Sequence, residues 1–449
     1  MSKPPVSLIP IDQDERIYSL DILRGVVLLG ILLMNINGFG LAIGDPSVAG
    51  GIEGKNLYAW MITNVFFEGT MRGLFSLLFG VGMYVLTSRL EKRGGGINVA
   101  DIYFRRTLWL MFFGLVHGYL LLWHGEILFD YGLMGLLIFS FRNMRPRKLL
   151  FIALFLMICG NIWYYADHQS NKKLHEQIAT AKQYKTEGKE LTKELTAALS
   201  KSEENDDKHS AAYVDDFNEN MRNGYFSVVA FLAPINFEDD TFVPYRLALW
   251  DVMSMMLLGI ALFKWKILTA ERSYKFYGIM VFVGYAIGLS LNYYELRLIL
   301  NSKFSSLGFT QSNLTFYWSR LFTSMGHVGL IMIFCKLPIL RWLKTSLASV
   351  GKMALTNYLM HSIICMILFT GVGFGLFGQL QRYQLYYVVV CIWIFQMIVS
   401  PIWLTYFRFG PAEWLWRSLT YQKRQPMRKN HGDKLKEKIQ GTAAVPTEM

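Results

Sequence analysis

A histidine with a carboxylate within reach is the usual minimum for moving a proton at neutral pH, and this chain offers one inside an apolar stretch. His117 ends the run Gly114-Leu115-Val116-His117, and Glu126 follows in His124-Gly125-Glu126-Ile127-Leu128. An imidazole that titrates near neutrality can both take and give a proton, so His117, oriented by Glu126 or Glu68, is a candidate general base. The structural alternative, a hydrogen-bonded packing histidine, stays open. His124 sits on the turn between two apolar runs and carries less weight. A second polar group lies in Phe67-Glu68-Gly69-Thr70-Met71-Arg72-Gly73-Leu74-Phe75-Ser76, where spacings of four predict one helical stripe of Glu68, Arg72 and Ser76. That stripe reads either as a packing seam with an internal ion pair or as the wall of a polar cavity, and Gly69, Gly73, Gly80 and Gly82 would let neighbouring helices approach.

Other polar groups stand where apolar residues would be cheaper. Asp21 and Arg24 in Ser19-Leu20-Asp21-Ile22-Leu23-Arg24-Gly25 share one helix face and can pair with each other, or Arg24 can clamp a phosphate with its planar fork. Arg105 and Arg106 open a later apolar run, and Asn35 and Asn37 are candidates for helix-to-helix hydrogen bonds. Near the end, Gly351-Lys352-Met353-Ala354-Leu355-Thr356-Asn357-Tyr358-Leu359-Met360-His361 places Asn357 and His361 one turn apart, either sharing a pocket with His117 or bonding across a packed interface. The closing motif Gly410-Pro411-Ala412-Glu413-Trp414-Leu415-Trp416-Arg417 suits a short helix that starts at proline and is held at a membrane surface by its tryptophans.

The elements that position these groups follow from composition. Hydrophobic residues make up 53% of the 449 positions and charged residues 17%, an apolar surplus beyond what a soluble core needs. The reading is an all-α, polytopic integral membrane helix bundle, because a spanning helix needs about 20 mostly apolar residues and lipid offers the backbone no water. Ten spans are expected near 19–42, 58–87, 103–122, 126–141, 149–166, 246–263, 276–297, 314–335, 346–372 and 384–407. The first run follows a charged leader from Asp12 to Arg16 and is expected to be retained rather than cleaved.

Basic clusters around Arg89, Arg142, Lys264, Lys336 and the tail from Lys423 to Lys438 all fall on one side of the ten-span arrangement, which puts both termini in the cytoplasm. The net charge of +12 is thereby assigned to topology and to anionic lipid, and a nucleic-acid partner is excluded. The expected organisation is a membrane half over residues 1–166, an extracytoplasmic polar loop over 167–244 read as a solvated connector, a second membrane half over 245–409, and an interfacial helix with basic tail over 410–449. Cys159, Cys335, Cys365 and Cys391 show no paired spacing, so neither a disulfide framework nor a metal site is expected.

Five motifs in order resemble the YeiB family of bacterial inner-membrane proteins: SLDILRG, FEGTMRGLFSLLFGVG, FGLVH with HGEILFDYG, GKMALTNYL and GPAEWLWR. The family is grouped by similarity with transmembrane acyltransferases, including heparan glucosaminide acetyltransferase. That resemblance implies a multi-pass protein of the bacterial cytoplasmic membrane, a cytosolic acyl-CoA donor such as acetyl-CoA, and an acceptor hydroxyl or amine on the outer face. By it, Asp21, Arg24, Glu68, Arg72, His117, Glu126, Asn357 and Tyr358 sit on motif positions. Glu126 stands where the family usually shows Asp, and His361 where Gln is common.

The leading expectation is an acyltransferase in which His117, Glu126 and Glu68 do the chemistry. Asp21, Arg24, Asn35, Arg72, Arg105, Arg106, Asn357, Tyr358 and His361 bind donor or acceptor. The alternative is a small-molecule transporter or exporter, which also wants polar groups at mid-membrane but favours discontinuous helices in two related halves, a repeat not evident here. Membrane lipids are the expected surroundings, and a homodimer is left open.

Overall fold

A computed structural model describes residues 16–42, 47–208, 210–243 and 247–429. The charged leader before Arg16 and the tail beyond Lys429 lie outside the described residues. Among those described, the secondary structure is helical, apart from a single bridge between Phe407 and Arg428. The helices are α1 (Tyr18–Gly40), α2 (Gly54–Phe66), α3 (Thr70–Lys92), α4 (Asn98–Leu120), α5 (Leu128–Ile138), α6 (Pro146–Thr186), α7 (Lys193–Lys208), α8 (Ala211–Arg222), α9 (Tyr225–Val243), α10 (Val252–Lys264), α11 (Tyr274–Asn301), α12 (Ser306–Ser312), α13 (Phe316–Lys336), α14 (Arg341–Lys352), α15 (Ala354–Phe369), α16 (Arg382–Tyr406) and α17 (Pro411–Tyr421).

Five runs are long and apolar enough to cross a membrane: α1, α2 with α3, α6, α11 and α16. A sixth is α14 with α15 if that pair, bent by 82°, is one span. The chain is thus a helical protein with the make-up of a membrane protein. Its outer helices agree with that solvent: Phe151, Phe155 and Ile162 on α6, Phe282 on α11, and Ile394, Ile398 and Ile402 on α16 are exposed, an apolar surface that water would penalise.

Helix α1 is the central post, and its apolar residues are buried almost all round. It crosses α14 in backbone contact: a Cβ added at Gly25 would lie 2.0 Å from the Leu347 carbonyl, and one at Gly351 would lie 2.0 Å from the Asp21 carbonyl. Helices α3 and α10 meet in the same way at Gly80 and Gly259. Gly82, by contrast, has open space beside it.

Four expectations change. The second apolar run is broken at Phe67–Gly69, where Gly69 takes a left-handed φ of 65°, so Glu68 sits in the break and not on a continuous stripe with Arg72 and Ser76. Helix α5 has only 11 residues, about 16 Å of rise, too short to cross about 30 Å of hydrocarbon alone. The boundary expected at residue 166 falls inside α6, one unbroken helix of 41 residues. Finally, 167–244 is not all solvated connector, because Phe217, Met221, Val228 and Leu232 of α8 and α9 join Leu32, Ile36, Phe369 and Phe377 in a second apolar core.

Candidate functional site

His117 lies on the last turn of α4 and is fully buried. Gly114, one turn earlier, lets α5 begin against α4: a Cβ there would stand 2.5 Å from the Phe129 amide nitrogen and 2.7 Å from Glu126 Oε2. The Glu126 carboxylate accepts the backbone N–H of Leu128 at 2.5 Å and of Phe129 at 2.8 Å, two donors that the first turn of α5 cannot satisfy internally. Glu126 Oε1 is also 3.3 Å from His117 Nδ1. The other ring nitrogen, Nε2, faces away from Glu126. Ser362 Oγ on α15 lies 2.6 Å from that Nε2. The result is a hydroxyl, imidazole and carboxylate in sequence, the order in which a base is held between the group it serves and the group that orients it. The Tyr358 ring stands edge-on to the imidazole, with centroids 4.9 Å apart.

A cavity of about 260 Å³ opens beside this chain of bonds. Arg16, Arg24, Arg89, Arg106, Lys352 and Arg417 line it against two carboxylates, Asp21 and Glu413, while Phe75, Leu78, Leu128 and Tyr358 line its apolar part. Both carboxylates are engaged. Asp21 takes Arg24 Nη1 at 3.1 Å and has Arg16 at 3.9 Å. Glu413 receives the Leu355 N–H at 2.6 Å, the Thr356 N–H at 3.1 Å and the Thr356 hydroxyl at 2.5 Å, and so closes the N-terminus exposed by the α14–α15 bend. The cavity is therefore strongly basic. Arg106 lies over the Trp416 ring at 3.5 Å, and the Trp416 Nε1–H donates to the Arg106 carbonyl at 2.8 Å, so the closing motif, expected only as a surface anchor, builds this wall.

A second cavity, of about 320 Å³, is acidic. Glu68, Glu126, Asp130, Asp239, Asp240 and Asp251 line it together with Arg72, His124 and Asn35. Arg72 is taken by Asp251, with Nη2 at 2.7 Å and Nε at 2.9 Å, which corrects the expected pairing with Glu68. The two cavities use successive levels of the same helices. On α1 the basic one ends at Arg24 and the acidic one begins at Ile31, about 10 Å further along, and at the start of α5 they face Leu128 and Ile127.

The remaining candidates lie apart from both cavities. Arg105 donates to the Thr420 carbonyl at 3.1 Å and pairs with Asp101. Asn357 bonds the Val350 carbonyl and Ser400 Oγ, and His361 Nε2 is 3.0 Å from Gln396 Oε1. Both fasten α15 to its neighbours, the interface alternative. His117 itself lines neither cavity; Glu126 and Tyr358 do. Ser362, Asp251, Asp130 and Glu413 are the members that sequence reasoning did not single out. A spacing of four from Tyr358 was the one trace of Ser362.

Residues 262–423 match a family model described as "Protein of unknown function (DUF418)". Across nearly the whole length, the chain is 30% identical over 435 residues to the uncharacterized protein YeiB of Escherichia coli (strain K12), covering 92% of this chain and 98% of that one. The chain belongs to the YeiB family. A further relative is the uncharacterized protein YxaH of Bacillus subtilis (strain 168), 28% identical over 445 residues, 94% of this chain and 98% of that one. No solved structure matches. In this YeiB-family chain the DUF418 match spans Tyr358, Ser362 and Glu413 but stops short of His117 and Glu126, so the Ser362–His117–Glu126 chain of contacts is closed across its boundary.

Proposed function

We propose that this YeiB-family protein is a membrane-embedded acyltransferase of the bacterial cytoplasmic membrane, with both termini in the cytoplasm and the basic cavity on the cytoplasmic side. It moves an acyl group from a cytosolic acyl-CoA-type thioester to an acceptor reached from outside. The observation that carries this reading is the pair of cavities, one basic and one acidic, lined at successive levels of the same helices, with Tyr358 and Leu128 in the first and Glu126 in the second. Guanidinium groups suit the phosphates of such a donor, and the apolar floor at Phe75, Leu78 and Tyr358 suits its acyl end.

In this reading the acceptor's O–H or N–H enters from the acidic side. Its nucleophilic atom attacks the thioester carbonyl while its proton passes to Glu126, which stays hydrogen-bonded to His117 Nδ1. The carbon–sulfur bond then breaks, and the thiolate takes that proton and leaves as the free thiol. Glu126 is the partner through which His117 acts, because it borders the cavity and His117 does not.

One set of features favours a transporter: α2 and α3 broken at Gly69, the 82° bend between α14 and α15, and the short apolar helices α5 and α10. A single pair of assays on purified protein separates the readings. Acyl transfer requires acetyl-CoA binding and acceptor-dependent thiol release in detergent. Arg24→Ala should weaken that binding by about tenfold or more and Arg24→Lys should restore only part of it, since an ammonium cannot reproduce the planar fork. Solute flux across proteoliposomes with no thiol release would replace the enzyme by the transporter.

A further inference from the structure

We infer that the acidic cavity is a binding site for a small organic cation, an ammonium- or guanidinium-bearing molecule about the size of one sugar ring, with Asp130 as its counter-ion. Calling that molecule the acceptor rests on the acyltransferase reading; the binding itself does not.

Asp130 stands in the first turn of α5, is 9% exposed and lines the cavity, yet among the described residues no hydrogen bond or ion pair engages its carboxylate. The neighbouring cation, Arg72, is spent on Asp251. Glu126 is satisfied by two backbone N–H groups and His117. Glu68, Asp239 and Asp240 add to the negative charge of the same walls. A buried carboxylate without a partner is costly, and helix N-termini offset only a fraction of a charge each, so the cavity is built to receive positive charge from a ligand. A bare metal ion does not meet the need: among the described residues no group of three His, Cys, Asp or Glu is close enough to hold one. Carboxylates spread around about 320 Å³ suit an extended cation that meets several of them with different atoms.

The test is isothermal titration of the full-length protein in detergent, without acyl donor, using ethanolamine, glucosamine and arginine as probes, with ethylene glycol and glucose as neutral counterparts. At least one cation is expected to bind about tenfold or more tightly than its neutral match, and Asp130→Asn should abolish that preference. Asp239→Asn, at a half-buried position on α9, should reduce it and serves if the Asp130 variant does not fold. Equal binding of glucosamine and glucose overturns the assignment. So does an unchanged preference in both variants, or no binding of any cation up to roughly 10 mM. Displacement of the bound probe by equimolar sodium would give the site to an inorganic ion and likewise overturn it. Thiol release with a neutral acceptor but no cation binding defeats this inference and leaves the enzyme reading standing; cation binding without thiol release does the reverse.

Discussion

His117 and Glu126 act as one unit in the proposed chemistry, which gives a sharp expectation for paired substitutions. His117→Gln and Glu126→Gln should each cut acceptor-dependent thiol release by about 10²–10⁴-fold, the usual worth of a positioned base, and the double variant should lose little more than either alone. Acetyl-CoA binding should stay near the parent value and the melting temperature within a few degrees. Additive losses, or full activity in the His117→Gln protein, would reduce the pair to packing. Glu413 invites a stability prediction. Glu413→Ala strips α15 of three hydrogen-bond contacts at its N-terminus and should destabilise the protein by about 1–3 kcal/mol, read as a lower melting temperature in a fixed detergent. How far these residues were legible depended on sequence distance. His117 and Glu126 are nine positions apart, and their pairing could be read from a hairpin. Ser362 and Asp251 reach their partners across 245 and 179 positions, and no local pattern announces contacts of that span.

At the level of helices, hydropathy located the apolar runs but not where they stop being straight. An apolar composition satisfies lipid whether or not the backbone is broken, and a break is held by tertiary contacts such as Glu413 on the first turn of α15. Glycine placement was a partial signal: Gly80 packs against the Met256 backbone as expected, whereas Gly82 faces open space, and the crossing at Gly25 and Gly351 was not read. Gly25 and Gly351 hold α1 and α14 in backbone contact, and substitution at either needs the helices to separate. Gly351→Ala should therefore lower stability by about 1–3 kcal/mol or prevent assembly, while Gly82→Ala, with nothing within 4 Å of the added carbon, should change the melting temperature little. Equal melting temperatures for the two variants would deny that the crossing is as close as described. The expected solvated connector failed in α8 and α9 for a similar reason: their apolar side chains find partners at the ends of α1, α15 and α16, far away in sequence.

For the molecule as a whole, charge alternation between loops makes a direct topological claim. A reporter placed near Arg93 or Lys275 should read cytoplasm, and one within residues 180–210 should read the exterior, through which α6 would continue past the membrane surface. A cytoplasmic signal from 180–210 would invert the arrangement and place the acidic cavity on the inside. The seal that Glu413 makes on α15 also has a consequence in time. Thr356 leaves the ribosome 57 residues ahead of the carboxylate that completes it, a wait of roughly 3–11 s at ordinary rates of synthesis. During that interval the first turn of α15 has no Glu413, and the wall that α17 gives to the basic cavity does not yet exist. A nascent chain thus cannot complete the basic cavity until α17 is made, so a message truncated before α17 yields a protein that lacks this wall.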